Sequence, residues 1–129
     1  MSRREAWLAA LGIFIVALLA RALADAGTVF PRPEDSAYYV GVARNLAEGR
    51  GLVSDALWSY GTPPLVFPRP AFEVWLPLPS LLAAVPLALF GGPAPIPLLN
   101  ALRSAQLVTV VLGAVLAVLA WRLAADVAE

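Results

Sequence analysis

A chain of 129 residues that is 60% hydrophobic, only 14% charged and of mean hydropathy +0.78 is too apolar for a soluble globular domain, and reads as an all-α membrane protein. Nine arginines balance nine acidic residues and there is no lysine, so no basic face exists to recruit nucleic acid. The lack of cysteine and histidine removes the usual zinc, haem, iron–sulfur and disulfide ligands and any histidine general base, leaving carboxylates and arginines to carry chemistry.

After a short N-terminus (1–6) with Arg3 and Arg4, the chain carries no charge between Glu5 and Arg21, which predicts a first membrane helix over 7–30. Arg21 and Asp25 lie one helical turn apart, so they can pair; Arg21 can also snorkel to the headgroups or line a polar cavity. Cleavage of a signal peptide is the competing reading, because Arg3-Arg4, the apolar run Trp7 to Ala20 and Ala22-Leu23-Ala24 have the required order. A mature N-terminus at Asp25 on sequencing would decide for it.

The segment 31–72 is the main polar stretch. Within it, 36–48 places Tyr38, Tyr39, Val42, Ala43 and Leu46 at helical spacing, with Arg44, Asn45 and Glu48 elsewhere on the wheel, which predicts a short amphipathic helix at the interface. Asp35 or Ser36 can cap its start, and Gly49 stands where a left-handed C-terminal cap is wanted. From Gly49 to Pro70 the glycines and prolines, Gly51, Gly61, Pro63, Pro64 and Pro68 among them, predict an irregular stretch with at most a short turn.

Between Glu73 and Arg103 there is again no charge, and 73–91 is expected to form a second span despite Pro77, Pro79 and Pro86. Gly91-Gly92-Pro93 ends it, 92–103 forms a cytoplasmic turn, 104–122 forms a third span, and 123–129 emerges on the far side. Arg3, Arg4 and Arg103 in short flanks then orient the protein in a cell (inner) membrane, with the N-terminus cytoplasmic and 31–72 periplasmic or extracellular.

Taken alone, Asp35 is a helix cap worth about 1 kcal/mol, its neighbour Glu34 diverges from it in direction, and Arg69 between Pro68 and Pro70 is an interfacial anchor or a phosphate ligand. The order of parts points further. One N-terminal span, Asp35-x-x-x-Tyr39 opening an amphipathic helix, Ala43-Arg44, the Gly49-x-Gly51 exit and Arg69-Pro70 before Trp75 together resemble the N-terminal region of GT-C membrane glycosyltransferases. The closest groups are glycosyltransferase family 39, the protein O-mannosyltransferases and the aminoarabinose transferases of lipid A. The resemblance runs from about Trp7 to Trp121, with Ser36 in place of the family's second acid, Arg69 in place of lysine, and Pro68 where some members hold a metal-binding carboxylate.

That resemblance implies transfer of a sugar from a polyprenyl-phosphate donor to an acceptor hydroxyl at the outer membrane face, with inversion. It implies Asp35 as general base, Arg69 on the donor phosphate, and Glu34, Tyr39 and Arg44 in support, with no cofactor; because Pro68 departs from the metal-holding members, no metal site is expected. The partners it implies are membrane lipids, the lipid-linked sugar and further membrane helices, from a longer transferase or from a second chain. A small accessory or structural membrane protein, in which Asp35 only caps a helix, is the alternative. A transporter fragment ranks last, because no charge lies near the middle of the second or third expected span.

Overall fold

The computed structural model describes residues 2–32, 34–57, 66–73 and 75–128. Among them the fold is helical apart from one two-residue strand pair: α1 (Arg3–Ala26), α2 (Glu34–Ala47), β1 (Val53–Ser54), β2 (Arg69–Pro70), α3 (Leu78–Phe90) and α4 (Leu98–Ala128). Gly61, Pro63 and Pro64, on which the expectation of irregular structure partly rested, lie outside the described residues.

Two helices are long and apolar enough to cross a membrane: α1 with 24 residues and α4 with 31. At 1.5 Å per residue they span about 36 and 46 Å, against about 30 Å of hydrocarbon. The third helix is α3, which has 13 residues, about 20 Å. Pro77 stands at its N-cap and Gly91 at its C-cap, so the helix covers 78–90 rather than the whole charge-free stretch. At the other boundary α4 begins at Leu98, which places Arg103 inside a helix rather than in a turn.

The chain divides into two compact units, 1–28 with 109–129, and 29–108. In the first, Ser2 caps α1: its hydroxyl accepts from the Glu5 N–H at 3.2 Å while the Glu5 carboxylate accepts from the Ser2 N–H at 2.8 Å. No residue of α1 is buried, and Trp7, Val16 and Leu23 are 68–76% exposed, so the helix presents a large uncovered apolar surface. The Arg21 guanidinium lies against α4 at Gly113, where a Cβ would stand 2.5 Å from its Cζ and Nε, so the glycine makes room for it. Arg3 and Trp7 share a cavity with Val118 and Arg122. The two helices are therefore antiparallel, and Arg3 and Arg122 lie at the same end.

In the second unit α2 packs on α3 and on the first turns of α4. Val40 clusters with Leu87, Ile96 and Ala101, and Ala43 with Ala83 and Ala84. The small residues let the helices approach closely. The end of α2 is a Schellman cap: Gly49 adopts φ 77°, its N–H donates to the Leu46 carbonyl at 3.1 Å, and the Arg50 N–H donates to the Asn45 carbonyl at 2.8 Å. Glu48 ties this end to the chain before α4, accepting from Arg44 Nε at 3.0 Å and from the Ile96 N–H at 2.7 Å. Beyond Gly51 (φ 86°) the chain pairs antiparallel with the segment before α3, Val53 opposite Pro70 and Ser54 opposite Arg69. This two-residue pairing adds to the irregular stretch, with at most a short turn, expected between Gly49 and Pro70.

Candidate functional site

One face of α2 walls a cavity of about 730 Å³. Asp35, Tyr38, Gly41 and Asn45 follow one another along it at steps of three and four residues, with Glu34, Ala37 and Arg44 at its edges. The rest of the lining comes from the turn after α2, through Arg50, Ser54, Asp55 and Leu57, and from Trp75 and Leu98.

Asp35 sits in the first turn of α2, where the unpaired N–H groups favour a carboxylate, and not before the helix as a cap. Its Oδ1 accepts from Trp75 Nε1 at 2.7 Å. Trp75 also stacks on Tyr38, ring centroids 4.4 Å apart and planes 26° from parallel. The buried Tyr38 in turn accepts on its hydroxyl from the Phe72 N–H at 2.7 Å. Phe72 holds φ 70°, a left-handed conformation that a bulky residue adopts only when its surroundings enforce it. Asp35 is thus oriented by an aromatic pair that belongs to both α2 and the approach to α3.

At the far end of the same face, Asn45 is 2% exposed yet fully engaged. Its amide donates to the Val53 carbonyl at 2.9 Å and to Asp55 Oδ2 at 3.0 Å, and its Oδ1 accepts from Arg50 at 2.6 Å. Arg50 closes the ring on Asp55, donating to Oδ1 at 3.1 Å. Partial burial alone would raise the Asp55 carboxyl, but the hydrogen bonds from Asn45 and Arg50, with the charges of Arg50 and Arg44, outweigh it and hold the group below its ordinary value.

Arg69 stands elsewhere. It does not line the cavity, and its guanidinium grips Glu73 in a fork, Nε to Oε2 at 2.9 Å and Nη2 to Oε1 at 2.8 Å. That hydrogen bonding pulls the Glu73 carboxyl below its ordinary value. Arg44, Arg50 and Arg69 therefore each carry a carboxylate partner, in Glu48, Asp55 and Glu73.

Of the residues expected from the sequence, the cavity gathers Asp35, Glu34 and Arg44, and does not gather Arg69 or Tyr39. Tyr39 packs edge-on against Tyr38 with ring centroids 5.8 Å apart. Tyr38, Asn45, Arg50 and Asp55 are the additions. The first two stand three and ten residues after Asp35, a spacing that puts all three on one helical face, and this was the available signal. Asn45, assigned to the polar side of the wheel, is instead buried because residues 53 and 55 satisfy its amide. Among the described residues no three acidic side chains converge on a common point. Compared with known proteins, the chain matches no family model, no curated protein and no solved structure.

Proposed function

We propose that this chain belongs to the catalytic apparatus of a membrane glycosyltransferase of the GT-C type, and that Asp35 is the general base in transfer of a sugar from a polyprenyl phosphate to an acceptor hydroxyl. The observation that carries the reading is the position of Asp35: a carboxylate with one oxygen held by an indole N–H, at the edge of a cavity of about 730 Å³ whose other end carries Arg44 and Arg50. A carboxylate fixed on one oxygen keeps the other for a substrate proton. In the reaction the acceptor oxygen bonds to the anomeric carbon from the face opposite the leaving group and its proton passes to Asp35. The bond from that carbon to the phosphate oxygen breaks, and the electron pair leaves with the lipid phosphate.

The departing phosphate is best met by cations. Arg44 and Arg50 line the same cavity as the base and Arg69 does not; each of the three would meet a phosphate by sharing or exchanging its carboxylate partner, Glu48, Asp55 or Glu73. In this reading α1 and α4 are the two crossings and 27–97 is the external segment, in which the 13-residue α3 lies at the interface without crossing. Arg3, Arg4 and Arg122 at one end of the antiparallel pair make that end cytoplasmic by the positive-inside rule, so the N-terminus and the end of α4 share a side. Further membrane helices supply the acceptor site, as the resemblance implies.

The test is a transfer assay. Membranes containing the chain, with and without the products of adjacent genes, are given labelled polyprenyl-phosphate sugars, and label is expected in an acceptor in at least one combination. No transfer in any combination, with the chain present and folded, favours the accessory-protein reading.

A further inference from the structure

The end of the α1–α4 pair away from Arg21 holds a second cavity, of about 300 Å³, lined by Arg3, Ala6, Trp7, Ala10, Val118 and Arg122. Its walls change character along their length. Toward the middle of the helices they are alanine and valine, and at the helix ends they are two arginines. Ala6 and Ala10, one turn apart on α1, open the slot because neither side chain reaches across to Val118.

Among the described residues neither Arg3 nor Arg122 has a carboxylate within 4.0 Å. The nearest acid in sequence on α1, Glu5, is engaged with the Ser2 N–H in the helix cap. Arg122 lies 5.9 Å above the centroid of Trp121, a contact that orients a guanidinium without cancelling its charge. Trp7 is 76% exposed beside the slot, the place of an indole at a membrane–water boundary.

We propose that this cavity binds one anionic phospholipid, its phosphate between Arg3 and Arg122 and the start of an acyl chain in the slot formed by Ala6, Ala10 and Val118. The occupant is a lipid rather than a free phosphate because the cationic mouth continues into an apolar slot, at the level where apolar helices give way to charge. Basic recesses between membrane helices meet lipid headgroups in this way. The proposal rests on the reading of α1 and α4 as membrane helices and is independent of the transfer reaction.

The probe is Trp7 itself. The full chain with Trp58, Trp75 and Trp121 changed to phenylalanine is reconstituted into phosphatidylcholine vesicles containing either brominated phosphatidylglycerol or brominated phosphatidylcholine, and Trp7 quenching is titrated. Each arginine near the surface strengthens attraction to an anionic headgroup about fivefold, so the phosphatidylglycerol form should quench at a roughly 25-fold lower mole fraction. Arg3→Gln with Arg122→Gln should bring the two lipids within about twofold of each other, while Arg3→Lys with Arg122→Lys, which keeps the charge, should retain most of the preference. Ala10→Phe fills the slot and leaves both arginines, so it should also weaken the preference.

Equal quenching by both lipids overturns the proposal, as does a preference that survives the double glutamine variant. A preference untouched by Ala10→Phe reduces the site to diffuse attraction and overturns the pocket. Inorganic phosphate that displaces brominated phosphatidylglycerol from Trp7 identifies the ligand as phosphate alone and overturns the lipid. A chain that floats with neither kind of vesicle refutes the membrane reading itself.

Discussion

Replacing Asn45 with alanine should loosen the wall of the Asp35 cavity without unfolding the helices. The side chain is 2% exposed and makes three hydrogen bonds, to the Val53 carbonyl, to Asp55 and from Arg50. A bond between neutral groups contributes about 1 kcal/mol net, and one to a charged group about 1.5–3 kcal/mol. Arg50 and Asp55 are 45% and 49% exposed, however, so water takes over part of what each loses. Their two bonds are therefore worth nearer 1 kcal/mol each. The sum is about 3 kcal/mol, which is more than a hundredfold in a local opening equilibrium. Hydrogen exchange read by mass spectrometry should show this at the Arg50 amide, which bonds to the Asn45 carbonyl, and at the Ala71 amide, which bonds to Leu52 across the strand pair. The amides of α1 should exchange as before. Arg50→Ala added to Asn45→Ala should cost less than Arg50→Ala alone, because the shared bond is already gone. A change under about tenfold at both amides would refute the argument that this amide holds the turn.

Other outcomes follow from the same geometry. Trp75→Phe keeps the ring on Tyr38 and removes the N–H donated to Asp35. With a loss of about 1–2 kcal/mol in the positioning of the base, kcat should fall about 5- to 30-fold with little change in KM, and an unchanged kcat would remove Trp75 from the account. For pH, the Asp55 carboxyl is depressed in the folded chain, so its contribution to the turn is complete above the unfolded value near 4 and is lost as pH falls through the lower folded value. Exchange at the Arg50 amide, corrected for intrinsic rates, should therefore hold steady from neutral pH to about 5 and accelerate in more acidic buffer, and Asp55→Asn should flatten that profile. The chain has no cysteine, so single cysteines report topology cleanly. Leu57→Cys, at a side chain 74% exposed, should be labelled from outside intact cells and Asp126→Cys should not; labelling of both would restore the three-crossing arrangement.

The parts of this structure legible in the sequence are those set by local chemistry. The charge-free run after Glu5 made α1, and Gly49 after an amphipathic stretch made a Schellman cap. The helix before Arg103 is shorter than the charge-free stretch predicted for a physical reason: hydropathy averages over a window, and does not register the bounds that Pro77 and Gly91 set on a 13-residue helix. Asn45 was invisible as a buried residue because its partners lie eight and ten positions away, beyond a turn whose course depends on pairing with Arg69 and Pro70. Arg69 was drawn toward the site by its spacing from Trp75, but the strand pair and the fork to Glu73 fix it outside the cavity. Asp35 and Tyr38 were within reach of the helical period, and only the contact with Trp75, forty residues on, needed the fold.

The central claim is that Asp35 takes a proton during sugar transfer. Asp35→Asn keeps the shape and an oxygen to accept from Trp75, and removes the base. In membranes that carry out the transfer, the variant should bind the labelled polyprenyl-phosphate sugar as the native chain does and transfer it at least about a hundredfold more slowly. Transfer at the native rate by Asp35→Asn would contradict the account.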